Sequence, residues 1–266
     1  MADVRKFPFG QSVRELAQED RTLKQVFVLG VYASAVHARW VGNGGKEIVK
    51  ALAVASEPEI FWRGENAAAI IHAVSIQREL GCLVAADHHY NGPSGRALDE
   101  HFLSPLGLTR EDAWLCDLVP HSCMNPGQKK AVERAYQPLV CEYGLPEVSV
   151  PRVPTSFSDE ERRGAILGEI LESQAEILVL LGDQPIRWFL RFYAPKWQRL
   201  SDFGADEESY GSLHSVSMAG RERWVLPLAH PRQVDKLGHS SARWHRLHRA
   251  WEKGRAKHLL GSSGGA

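Results

Sequence analysis

Apolar and polar positions alternate between two regimes along this chain. Short unbroken apolar runs read as strands buried on both faces, and longer stretches of helical periodicity lie between them. The runs are Val26-Phe27-Val28-Leu29 before Gly30, Trp114-Leu115-Cys116-Asp117-Leu118-Val119 before Pro120, and Ile177-Leu178-Val179-Leu180-Leu181 before Gly182. A fourth, Trp224-Val225-Leu226-Pro227-Leu228, enters Ala229-His230-Pro231. Helices are predicted over residues 66–79, 96–106, 129–142, 158–173 and 241–260. Ser158 and Glu161 form a capping-box pattern, and Asp183 reads as the N-cap of a helix opening with Gln184-Pro185-Ile186-Arg187-Trp188. Residues 51–55 and 59–62 read as an additional hairpin or edge, and 196–217 as a loop or insertion.

Strands alternating with helices predict an α/β fold, a three-layer α/β/α arrangement around a central, mostly parallel four-stranded sheet. A single domain over residues 1–260 is expected, followed by a flexible Gly/Ser tail at 261–266. In such sheets the ligand crevice lies beyond the carboxyl ends of the strands. That places chemistry in residues 30–40, 117–128, 182–188 and 230–238.

Composition narrows the class. Of 266 residues, 44% are hydrophobic and 24% charged, as in globular proteins, and no apolar run approaches the roughly 18 residues of a membrane span. Lys and Arg total 32, balancing 32 Asp and Glu, so any surface for a polyanion must be local. The four cysteines form no CxxC pair, and Met1-Ala2-Asp3-Val4 opens no signal segment. A cytoplasmic location with reduced thiols is expected.

Several strand-end segments, in order, resemble the uracil-DNA glycosylase superfamily, closest to its bacterial and archaeal branches. The likeness covers roughly residues 24–249. Tyr90-Asn91-Gly92-Pro93-Ser94-Gly95-Arg96-Ala97-Leu98-Asp99 is similar to an aromatic-x-Gly-x-Ser/Ala-Gly-x-x-Leu-Asp stretch of those branches. The run from Leu106 to Asp117 resembles the approach to the base-reading strand, with Cys116-Asp117 where the family has Thr-Asn. Met124-Asn125-Pro126-Gly127 and residues 133–139 fit the proline-rich loop and helix that follow. Residues 177–182 fit a strand and its glycine turn. Leu228-Ala229-His230-Pro231-Arg232 resembles the His-Pro-Ser motif, with Arg232 in place of the serine. The first motif departs: Gly30-Val31-Tyr32-Ala33-Ser34 carries Tyr32 where a carboxylate or amide positions water, and Ala33 where proline stands. Cys123 and Cys141 fall near two cluster-ligating positions of iron–sulfur members, but the early pair is missing. No cofactor is expected.

The resemblance implies an enzyme that flips a damaged or deaminated base out of DNA and cleaves its N-glycosidic bond. Tyr90 would be the aromatic floor and Asp117 the reader of the base edge, with Gly30, Val31 and Tyr32 around the base. His230 would donate to the departing base. As an ionised acid Asp117 only accepts hydrogen bonds, favouring exocyclic amines or ring N–H groups. Tyr32 cannot serve as a carboxylate at neutral pH, so His37 is the candidate base. Asp87, His88 and His89 form a second cluster. A metal there is not expected, because three adjacent residues point in different directions. Arg232 would contact phosphate, as would Arg243 and Arg246 on a basic helix that turns Trp244, Leu247 and Trp251 inward. Plainer readings stand beside each: Tyr90 as a turn residue, Asp117 bonded to backbone, His230 at a strand exit, the arginines as solvated surface. The alternative for the whole chain is an inactive relative that binds nucleic acid or a nucleotide. No Gly-x-Ser-x-Gly elbow and no phosphate-cradling glycine loop supports an unrelated hydrolase or nucleotide binder.

Overall fold

In the computed structural model, residues 5–236, 241–254 and 256–259 are described. The strands are β1 (Val26–Tyr32), β2 (Ala35–Val41), β3 (Glu47–Ser56), β4 (Cys82–Ala85), β5 (Ala113–Val119), β6 (Ile177–Leu181), β7 (His214–Met218) and β8 (Arg221–Leu228). The helices are α1 (Ala67–His72), α2 (Pro93–Ala97), α3 (Pro126–Ala131), α4 (Val140–Tyr143), α5 (Glu160–Ser173), α6 (Asp183–Trp188), α7 (Pro231–Val234), α8 (Ser241–Gly254) and α9 (Ala256–Leu259). They group into two units that interleave in sequence. One comprises residues 5–16, 32–95 and 120–155, and the other 17–31, 96–119 and 156 onward.

The second unit holds the predicted α/β sheet, with strand order β5-β1-β6-β8-β7. β1 runs parallel to β6 and β6 parallel to β8, while β7 returns antiparallel beside β8. The three runs of residues 26–29, 114–119 and 177–181 are thus neighbours in one sheet, as expected. It has five strands rather than four, because the end of the expected 196–217 loop, together with Met218, forms β7. That strand buries only Val216 and Met218 and exposes Ser215 and Ser217, an edge pattern too short and polar to stand out in sequence. β5 and β6 are buried along their whole length, as are residues 26–30 of β1. This is what strands covered on both faces require.

Helices flank the sheet. α5 packs Ile166 and Ile170 inward, and its Glu169 accepts a hydrogen bond from Trp114 Nε1 at 2.9 Å. Its N-cap is Asp159, which accepts from Arg162 N at 2.8 Å; Ser158 instead donates to the Trp188 carbonyl, so the capping box does not form. Asp183 likewise does not cap α6. It lies inside that helix and accepts from Leu200 N at 2.7 Å, holding the chain that follows. At the C-terminal side, helix is described over Ser241–Gly254 (α8) and Ala256–Leu259 (α9). The first of these turns Trp244, Leu247 and Trp251 inward as its spacing predicts. The expected 261–266 tail, the end of the predicted 241–260 helix at Leu260, and the end of the 230–238 segment lie outside the described residues.

The first unit carries a sheet that the sequence pattern shows only in part. β3-β2-β4 is a three-stranded antiparallel sheet: residues 51–55 lie in its edge strand β3, as expected, whereas residues 30–40 were expected to be a crevice loop and 59–62 part of the same hairpin or edge. In β2, Val36, Ala38 and Trp40 point into the core and Arg39 is exposed, so period-2 alternation was present but diluted by alanines. Residues 59–62 form no strand. The core packs Phe9 edge-on against both Trp40 and Tyr136, with ring centroids 5.3 and 5.1 Å apart. The helix expected over 66–79 stops at His72, and the one expected over 129–142 begins earlier, at Pro126, capped by Asn125. Among the described residues no helix is long and apolar enough to cross a membrane, and all four cysteines are free.

Candidate functional site

The register of the parallel strands brings the second unit's strand ends to one edge. Val26, Ile177 and Trp224 are level, as are Leu29, Leu180 and Pro227, so Gly30-Val31, Gly182 and Ala229-His230 emerge together. Gly182 N donates to the Leu228 carbonyl at 2.8 Å, locking two of these exits. Its φ of +86° and ψ of −169° lie in a region open essentially to glycine alone. A Cβ there would stand 3.0 Å from that of His230. The residue that fixes His230 against the sheet therefore has to be glycine.

His230 is the N-cap of α7. Its Nδ1 accepts from Arg232 N at 3.2 Å, while its own N–H donates to Gln233 Oε1 at 3.3 Å. An Nδ1 that accepts carries no proton, so the neutral ring holds its hydrogen on Nε2. Burial, helped by the Arg232 charge, pushes its pKa down to about 4. His230 is thus a neutral Nε2–H donor, partly exposed, with no protein partner on that atom among the described residues.

Asp117 lies in β5, beside β1, only 5% exposed. Desolvation raises its pKa to about 7, against the pull of Arg162 and a hydrogen bond from Val31 N. Arg162 sits close because it donates to the Asp117 carbonyl at 2.6 Å and the Leu118 carbonyl at 3.1 Å, with Glu169 3.6 Å away. This corrects the premise that Asp117 is an ionised acceptor. Near neutral pH a large fraction is the acid, with one oxygen to accept and one O–H to donate.

Behind this edge runs a buried hydrogen-bond chain that sequence reading did not anticipate. Ala229 N donates to Tyr210 Oη at 2.8 Å, Tyr210 lies 2.7 Å from His248 Nδ1, and His248 Nε2 bonds the His101 carbonyl at 2.8 Å. With Nε2 donating, Nδ1 accepts from the Tyr210 hydroxyl, and burial holds the His248 pKa down at about 4. Tyr210 falls in the stretch taken for a loop and His248 on a helix read for its arginines, so no local pattern links them. Tyr210→Phe leaves the Ala229 amide and His248 Nδ1 unpaired in the interior. A loss of about 1–3 kcal/mol is expected, seen as a lower urea midpoint at unchanged m-value.

The arginines are dispersed. Arg232 and Arg246 are exposed, and Arg243 donates to the Ala205 carbonyl at 2.6 Å. Arg249 is tied to Glu252 at 2.9 Å and so is not a free cation.

In the first unit, the Tyr90 stretch starts from a turn rather than a strand end. Gly92 and Gly95 let it lie against the chain at Phe61–Gly64; a Cβ would come within 2.0 Å of the Arg63 carbonyl carbon and 2.1 Å of the Phe61 oxygen. Asn91, next to Tyr90 in the motif, is the anchor. It accepts from His37 N at 2.8 Å and donates to the His37 carbonyl at 3.0 Å, standing in for a strand partner on β2. The Tyr90 ring lies 4.0 Å from His89 and 6.4 Å from His37, with Lys50 Nζ 5.9 Å from its centroid. Burial pushes the His37 pKa down to about 4, and its Nδ1 is buried without a hydrogen-bond partner. It is a neutral but weak base. Tyr32 closes β1, partly buried.

Asp87, His88 and His89 do not point apart as expected. Their ligand atoms lie within 4.8 Å of one another, both imidazole Nδ1 atoms converging on Asp87 Oδ1 at 3.0 and 2.5 Å. The turn folds both rings back on the carboxylate, whose pKa is lowered by bonds from His89, and all three residues are exposed.

Of the expected site residues, the structure brings together Gly30, Val31, Asp117 and His230 in one unit, and His37 and Tyr90 in the other. No protein-family model matches this chain, and no curated protein matches it.

Proposed function

We propose that the chain is a uracil-DNA glycosylase-like hydrolase that cleaves the N-glycosidic bond of a deaminated base. The observation that carries this reading is the presence on one sheet of a neutral Nε2–H donor after β8 and, with β1 and β6 between them, of a carboxyl group on β5 whose pKa burial raises to about 7. A departing base gains negative charge on a carbonyl oxygen, and a fixed N–H donor stabilises it. His230 presents that donor without first losing a proton, because its ring is already neutral. Protonated Asp117 both donates and accepts, as an asparagine would. It therefore suits the adjacent carbonyl and N–H of uracil or hypoxanthine, whereas its carboxylate form suits adjacent N–H donors.

The altered first motif supports a second reading, an inactive relative that binds nucleic acid. Tyr32 stands where a water-positioning carboxylate or amide is expected. The discriminating experiment incubates the protein with labelled oligonucleotides carrying uracil, hypoxanthine, xanthine or mismatched thymine, and measures base release and binding together. The first reading expects release with uracil and hypoxanthine ahead of the others. Binding that weakens steeply with salt, without release, would select the second.

A further inference from the structure

Away from the strand ends just described, and wholly within the first unit, an open groove of about 650 Å³ runs between β3 and the helical segment that starts at α3. Its helix wall repeats at three to four residues: Gly127, Ala131 and Ala135 form a floor of small side chains, closed by Pro138 and Leu139. Lys130 and Arg134 stand on that wall, and Lys46 with Ile48 and Val49 on the strand wall. Ile48 is 43% exposed. Among the described residues none of the three cations has an acidic partner, and a single carboxylate, Glu47, lines the groove with them.

The strand wall is a sheet edge, for among the described residues β3 pairs with β2 alone in the order β3-β2-β4. At one place that edge is already closed. The Gln128 side chain accepts from Ala53 N at 2.8 Å and donates to the Ala51 carbonyl at 3.0 Å, the two bonds a neighbouring strand would make. Upstream, over residues 47–49, the edge borders the groove.

We infer that this groove binds an extended acidic segment of another protein as an added strand on β3. Its aliphatic side chains would lie on the Gly127–Ala131–Ala135 floor and its carboxylates on Lys46, Lys130 and Arg134. An exposed edge beside a helix is the geometry of strand-addition recognition, in which main-chain bonds give affinity and the flanking wall reads alternate side chains. The charge balance selects an acidic partner. Single-stranded nucleic acid fits less well, because base stacking needs aromatic rings and the lining has none. A second copy of the chain would set the same cations against each other. The inference does not depend on the glycosylase reading.

The test pans a random dodecapeptide display library on the full chain. Each enriched peptide, synthesised with a fluorescent label, is then titrated against wild type, Lys130→Glu/Arg134→Glu and Ala135→Trp, all checked for unchanged circular dichroism. Enriched sequences should alternate acidic and aliphatic residues. Their affinity should fall on the order of tenfold or more in both variants, and bound peptide should slow amide exchange at residues 47–49. The inference is overturned if no peptide is enriched, or if the enriched ones lack acidic residues or bind the variants equally well. It is also overturned if the variants abolish instead the binding of oligo-dT, or a concentration-dependent dimer of the chain.

Discussion

Asp117→Asn should remove a pH dependence from both stability and base release. In the wild type, burial raises this carboxyl from its usual value near 3.8 to about 7. The folded state therefore binds the proton more tightly than the unfolded state does. The stabilisation this gives is complete below about pH 4 and is lost as pH rises toward 7. A difference of about three pH units is worth roughly 4 kcal/mol at its full extent. The neutral amide has no such loss. The variant should gain stability relative to wild type as pH rises from 4 to 7, with a plateau above, read from urea titrations at each pH. His37, His230 and His248 act in the opposite direction. Each has its pKa lowered to about 4, so each destabilises the fold as pH falls below its ordinary value near 6.5. Wild type alone would blend the two signs, and the difference between wild type and variant isolates Asp117. In activity, uracil release by wild type should decline above about pH 7 as the donor O–H is lost. The asparagine variant should hold its rate there.

His230→Ala is expected to lower base release by about 100- to 1000-fold, the loss typical of one preorganised donor to a developing anion. The effect should fall on the chemical step rather than on DNA affinity, because the ring reaches only the leaving base. Single-turnover rates with DNA binding measured in parallel separate the two. Folding should be little changed: the helix begun by His230 is four residues long, and loss of its cap costs about 1 kcal/mol. A thermal melt of the variant checks that point.

How far these features were legible varies with the physics behind them. Mostly apolar runs announced β1, β5, β6 and β8, because a strand covered on both faces leaves few polar positions. The carboxyl edge followed from the βα alternation, whereas Asp117 and His230 stood out within it only through the family resemblance of their segments. β2 and β3 were harder to read. Small alanines weaken the contrast between faces, and the β2 sequence Ala35-Val36-His37-Ala38-Arg39-Trp40 shows its alternation only once Trp40 is known to be buried. The proton on Asp117 could not be read at all, because it depends on how completely the strand is covered. The same holds for Tyr210 and His248, which are 38 residues apart and are joined by one hydrogen bond. The convergence of His88 and His89 on Asp87 belongs to the turn, not to the residue types.

The most direct test of the central claim is single-turnover base release from a uracil-containing oligonucleotide, by wild type and His230→Ala side by side at pH 6.5. Wild type should leave an abasic product, and the variant should nearly lose it. Absence of product with wild type, or equal release by both, would contradict it.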